Sequence, residues 1–131
     1  MLEYLKKNTL IATFLVIIIL DQMLKVTLDI DKNYGLVLGI LKGNLGICIF
    51  LTLFILIILI ILLKNNKKKI RKIGFILIIS GLISNLIDRL ILGYVRDYIP
   101  FLNITSFNLA DSAAIIGIIV LILNRNRIKW K

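Results

Sequence analysis

Residues 80–89 read Ser80-Gly81-Leu82-Ile83-Ser84-Asn85-Leu86-Ile87-Asp88-Arg89. An uncharged run from Ile73 leads into them and Leu90-Ile91-Leu92 follows, so 73–92 can cross a hydrocarbon core of about 30 Å. Gly81, Ser84, Asn85 and Asp88 fall at i, i+3, i+4 and i+7, which is one face of a helix. Small side chains on such a face let a neighbouring backbone approach, while Asn and Asp offer hydrogen bonds across the contact. A carboxylate next to hydrocarbon costs about 3 kcal/mol on insertion scales, so Asp88 marks either a functional site or a polar packing seam.

The rest of the chain has the composition this helix needs. Of 131 residues 60% are apolar and the mean hydropathy is +1.00, far above a soluble domain. The net charge of +10 does not form a stripe suited to nucleic acid, because the basic residues fall in blocks between apolar runs. Cys48 is the only cysteine and histidine is absent. Intrachain disulfides, multi-cysteine metal sites, Ser-His-Asp triads, Cys-His pairs and His-Glu-x-x-His zinc sites are thereby excluded. No metal or organic cofactor is implied.

Four spans are predicted: 9–28, 45–63, 73–92 and 107–123, each antiparallel to the next in a single domain over 1–131. The first is read as a retained span rather than a cleaved leader, because the apolar pattern continues past Asp21 and no small-x-small site follows. Lys6, Lys7, Lys64, Lys67, Lys68, Lys69, Arg71, Lys72, Arg125, Arg127, Lys129 and Lys131 lie on one side, twelve of the seventeen basic residues. The positive-inside rule therefore puts both termini in the cytoplasm and the acid-rich connections outside.

Those outer connections differ in kind. Residues 29–43 contain Asn33, Gly35, Gly39 and Gly43, with Leu36-Val37-Leu38 as a possible short strand. Residues 93–106 contain the only proline, Pro100. Proline biases Ile99 toward an extended backbone and is expected to end the third helix, leaving Asp97 in a loop.

Asp21 and Lys25 are i,i+4 with the acid first, the favourable order for an ion pair, although Lys25 can also reach the membrane surface. A Ser-Lys nucleophile would need Lys25 beside Ser84, Ser106 or Ser112, none of which sits in a nucleophile motif. Asp88 is expected to tie elements together, with Arg89 directed toward headgroups or a lipid phosphate. Asn108 is placed to cap the fourth helix, which makes Asp111 its third residue, where free amide groups and the helix dipole favour an anion. If Asp97 and Asp111 converge, like-charge repulsion makes them share a proton, supplying a base and an acid together.

Asp21-Gln22-x-x-Lys25, Asn33-x-Gly35, Asn85-x-x-Asp88-Arg89, Asp97 followed by an aromatic, and Phe107-Asn108-x-Ala110-Asp111-Ser112 resemble the ordered motifs of the lipoprotein signal peptidases, or type II signal peptidases. The resemblance spans nearly the whole chain. It implies a monomeric aspartic endopeptidase of the bacterial plasma membrane that binds membrane lipids and cuts prolipoproteins before a diacylglyceryl-modified cysteine. It also implies a catalytic pair Asp97 and Asp111 at the extracytoplasmic side. Asp21, Lys25, Asn33, Gly35, Asn85, Asp88, Arg89, Asn108, Ala110 and Ser112 would shape or support the site. Ser84 stands where the family usually has glycine and Leu36-Val37-Leu38 where it tends to have Ala-Ala-Phe. Both outer connections are short for the family.

The fold expected is thus an all-α integral membrane protein of four transmembrane helices with short extracytoplasmic loops and a reduced β-platform. The residues by themselves leave a rival of another class: a small transporter or channel subunit whose buried acids relay protons or bind a cation. A noncatalytic packing subunit would have no use for three acids near hydrocarbon.

Overall fold

The computed structural model describes residues 2–35 and 43–125, with the side chains of 2–7 left aside. Among these residues are four helices, α1 (Leu2–Thr27), α2 (Leu45–Asn65), α3 (Lys69–Leu92) and α4 (Leu109–Leu123). Between α1 and α2 lies strand β1 (Asp31–Asn33), and between α3 and α4 lie β2 (Val95–Asp97), β3 (Ile99–Phe101) and β4 (Thr105–Phe107). The expected strand at Leu36-Val37-Leu38 falls outside the described residues.

α3 is the hub, packed against α1, α2 and α4. Just over half of its apolar window is buried, against 11% for α1 and 17% for α2. The face read from the sequence accounts for this, since Gly81, Ser84, Asn85 and Asp88 are all buried. A Cβ on Gly81 would overlap the Ala110 carbonyl oxygen, and one on Gly117 would lie 2.6 Å from the Gly74 carbonyl oxygen. α3 and α4 therefore touch backbone to backbone, a packing available only to small residues. The apolar core is small, built on Leu56, Phe75, Ile79 and Leu86. Leu15, Phe50, Ile57 and Ile116 are instead exposed on the outside of the helices. Apolar outside and polar within is the arrangement that hydrocarbon solvent rewards.

α1 from Asn8, α2 and α3 are each long and apolar enough to cross a membrane. α4 has 15 residues, about 22 Å at 1.5 Å per residue. It is shorter than the expected span because Phe107 belongs to β4 and Asn108 is the cap. α3 also ends differently from the expectation. Gly93 takes φ 81° and its N–H bonds the Arg89 carbonyl, a left-handed cap that glycine adopts without steric penalty. Pro100 lies further on, inside β3, and does not terminate the helix.

The strands form two antiparallel pairs. β1 pairs with β2 so that Asp31 faces Asp97 and Asn33 faces Val95. β3 pairs with β4 around a turn in which Leu102 and Asn103 both have positive φ. Among the described residues the reduced platform thus consists of two small sheets. Asp97 is the last residue of a paired strand, not a loop residue.

Candidate active site

The site begins with the cap of α4. The Asn108 side chain accepts the N–H of Asp111 at 2.9 Å, and the Asp111 carboxylate accepts the N–H of Asn108 at 3.3 Å, a reciprocal capping box. This fixes Asp111 in the first turn, as read from the sequence. The other end of the Asn108 side chain turns to the strand, where Nδ2 donates to Asp97 Oδ1 at 2.8 Å. Asn33 Nδ2 donates to Asp97 Oδ2 at 3.0 Å, a contact made possible by the β1–β2 pairing. Asp97 is 2% exposed. Burial raises its pKa to about 7; the Asn33 bond opposes the rise, and the nearby Asp111 carboxylate adds to it.

Beneath this pair lies a buried charge cluster. Lys25 Nζ is 2.7 Å from Asp21 Oδ2 and 3.3 Å from Asp88 Oδ2, with all three side chains inaccessible. Lys25 therefore does not extend to the membrane surface: two carboxylates hold it inside. Its remaining bond goes to Asn85 Oδ1 at 2.9 Å, and Asn85 Nδ2 donates to Asp111 Oδ1 at 2.8 Å. With its three N–H groups so used, Lys25 does not serve a serine nucleophile.

Asp88 also takes the Arg96 guanidinium, Nη2 at 2.8 Å, and the Arg96 backbone N–H at 3.0 Å. The bond to Asp88 is the main cause holding the Arg96 pKa above its usual value. Arg89 does not reach outward to lipid. It is 7% exposed and donates to the Gly35 carbonyl at 2.9 Å. Asn33 Oδ1 accepts the Gly35 N–H at 3.0 Å, closing a turn that presents the Asn33 amide to Asp97.

Ala110 and Ser112 complete the start of α4. Ala110 is fully buried under α3 and its N–H donates to Asp21 Oδ1 at 3.1 Å; Ser112 Oγ donates to the Asn108 carbonyl at 3.1 Å. Every residue read as a site candidate is therefore joined to this one network.

Besides Arg96, three more side chains belong to it. Tyr98 donates its O–H to Asp21 Oδ1 at 3.0 Å and accepts the Leu109 N–H at 2.9 Å. Burial pushes the Tyr98 phenol well above its ordinary value, so it stays a donor. Ser84 Oγ donates to Asp21 Oδ2 at 2.6 Å, and Gln22 Nε2 donates both to Ser84 Oγ and to Asp88 Oδ1. Gln22 Oε1 accepts from Arg96 at 2.8 Å. Gln22 and the aromatic after Asp97 are visible in the motifs, but their partners are more than sixty residues away in the chain. Among the described residues, no group of three His, Cys, Asp or Glu side chains is placed to share a metal ion.

Comparison with known proteins bears on this arrangement. Residues 13–126 match the family described as signal peptidase (SPase) II. The lipoprotein signal peptidase of Halothermothrix orenii is 35% identical over 129 residues, covering 83% of this chain and 89% of that protein. That of Bartonella henselae is 48% identical over 82 residues, covering 57% of this chain and only half of its relative. A solved structure described as a bacterial membrane enzyme superposes with a TM-score of 0.82, at 24% identity and 95% coverage of both chains, which establishes the shared fold. Nothing in these likenesses supports a transporter. With the family matched across most of its length, the chain belongs to the signal peptidase II family.

Proposed function

We propose that this membrane protein is an aspartic endopeptidase that removes signal peptides from diacylglyceryl-modified prolipoproteins, with Asp97 and Asp111 as its catalytic pair. The observation that carries the reading is Asp97: buried, held near 7, and joined through the single side chain of Asn108 to the helix start bearing Asp111. A carboxyl poised near neutral pH beside a second carboxyl can hold a proton for donation while its partner takes one from water.

Charge balance supports a shared proton. Among the described residues, Asp21, Asp88, Asp97 and Asp111 face Lys25, Arg89 and Arg96, four acids against three bases, so this set is neutral when the pair retains one proton. Ionising both members would leave an uncompensated buried charge, which is costly.

The reading places α4 as a fourth membrane span in a single domain over 1–131, acting as a monomer and without a cofactor. Both termini lie in the cytoplasm and the Asp97–Asp111 pair lies at the outer leaflet, following the twelve-to-five division of basic residues. At that depth a lipid anchor does the work of binding. Each buried CH₂ of an acyl chain contributes about 0.8 kcal/mol, so a diacylglyceryl group holds its cysteine at the level of the two carboxyls.

The test compares one precursor with its cysteine lipidated and unmodified, in the same detergent. Cleavage of the lipidated form alone is expected; equal rates for the two would contradict the lipid-anchor account.

A further inference from the structure

We propose that Asp111 is the base of the pair and Asp97 the acid, and that Asn85 enforces this division by carrying the positive charge of Lys25 to Asp111. The inference rests on the aspartic peptidase reading above. It follows from how unequally the two carboxyls are served by their neighbours.

Lys25 Nζ has three N–H bonds and three acceptors, Asp21 Oδ2, Asp88 Oδ2 and Asn85 Oδ1. Asn85 Oδ1 accepts at the same time from Asn108 Nδ2 at 3.0 Å. An amide whose oxygen is drawn on by an ammonium group becomes a stronger donor at its nitrogen, because hydrogen bonds in series polarise one another. That nitrogen donates to Asp111 Oδ1 at 2.8 Å. Asp111 Oδ2 meanwhile accepts the Asn108 N–H, at the positive end of the α4 dipole. Both Asp111 oxygens are thus met by donors that gain from a negative charge.

Among the described residues, Asp97 has only the neutral amides of Asn33 and Asn108 as side-chain partners. The cations within reach are engaged elsewhere. Arg96 spends its guanidinium on Asp88 and Gln22, and Arg89 bonds the Gly35 carbonyl. Among the described residues, the charged and titratable groups around the pair are Asp21 and Lys25 from α1, Asp31 from β1, which faces Asp97 in the register and takes the Ser106 hydroxyl, Asp88 and Arg89 from α3, and Arg96 and Tyr98 from the strand segment. Lys25 and Arg96 neutralise Asp21 and Asp88, and Arg89 acts on both members of the pair, so the remaining asymmetry is the relay through Asn85 together with the α4 start at Asp111.

With this division the steps balance. The Asp111 carboxylate takes a proton from water as the water oxygen bonds to the scissile carbonyl carbon. The carbonyl π pair moves to its oxygen, which takes the proton of Asp97. In the collapse the C–N bond breaks and the leaving nitrogen takes the proton from Asp111. Asp97 recovers its proton from a hydroxyl of the intermediate, which becomes the new carboxyl group.

Asn85 is on this account a positioning residue whose effect is electrostatic, so the readout is the pH profile of kcat/KM on a lipidated precursor. The unaltered protein, Asn85→Ala and Asn33→Ala are compared from pH 4 to 9. Asn85→Ala removes the donor to Asp111 and is expected to move the acidic limb to higher pH by about half a unit or more, leaving the alkaline limb in place. Asn33→Ala removes a donor to Asp97 and is expected to move the alkaline limb upward and leave the acidic one. The opposite pairing of variants and limbs, or lowered activity with both limbs unmoved, overturns the assignment. Should Asn85→Ala not fold, Asn33→Ala decides alone: a shifted alkaline limb supports the division, and a shifted acidic limb or none overturns it. Failure of the underlying aspartic reading would look different, as activity surviving in Asp97→Asn or Asp111→Asn.

Discussion

Asn108 Nδ2 lies 2.8 Å from Asp97 Oδ1, while Oδ1 of the same side chain caps the N–H of Asp111. One buried amide therefore measures the offset between a strand end and a helix start. Among the described residues neither carboxyl forms an ion pair with a cation, so the two inherit their relative placement from this amide.

The environment of Asp97 has a thermodynamic consequence. Its folded pKa is raised to about 7 by burial, against about 3.9 for an unfolded aspartate. A raised pKa contributes stability that is fully present below about pH 4 and is lost as pH rises through about 7. Asp97→Asn cannot ionise, so its melting temperature relative to the unaltered protein is expected to increase between pH 4 and pH 8. Thermal unfolding in detergent at several pH values checks this; a difference independent of pH would contradict it.

Lys25 is the keystone of the charge cluster beneath. Lys25→Met keeps the length of the side chain but leaves Asp21 and Asp88 facing each other with one cation fewer. Removing one partner of a buried pair costs about 3–5 kcal/mol. The variant is expected to melt well below the parent, and Lys25→Arg, which retains charge but misfits the three acceptors, is expected to fall between. A melting temperature unchanged in Lys25→Met would show that the cluster does not hold the helices together.

Orientation is tested separately. A membrane-impermeant thiol reagent should modify a cysteine placed at Lys32 from outside intact cells and one placed at Lys68 only after lysis. The reverse pattern would invert the topology.

Much of this was legible in residue spacing. Asp21 and Lys25 announce their pair at i,i+4, Gly81 to Asp88 announce the packed face of α3, and Asn108 announces the cap that holds Asp111. Each of these is local, set by helix geometry within a few residues. The pairing of Asp31–Asn33 with Val95–Asp97 is not local, and three-residue strands carry too little pattern to reveal a register. Without it Asp97 looks like a loop residue and Asn33 has no visible partner. Arg89 misled for the same reason: a long basic side chain near a helix end ordinarily reaches the interface, and only the turn at Gly35 supplies the inward acceptor. Pro100 was the obvious helix terminator, yet a left-handed Gly93 had already ended α3.

The central claim is that Asp97 and Asp111 together perform the cleavage. The most direct measurement is the rate at which Asp97→Asn, Asp111→Asn and the double variant cut a lipidated prolipoprotein, each first shown to insert and to elute as the parent does. Members of a pair that share one proton act as a unit, so each single variant is expected to lose nearly as much activity as the double. Substantial cleavage by either folded single variant would remove that residue from the chemistry and contradict the account.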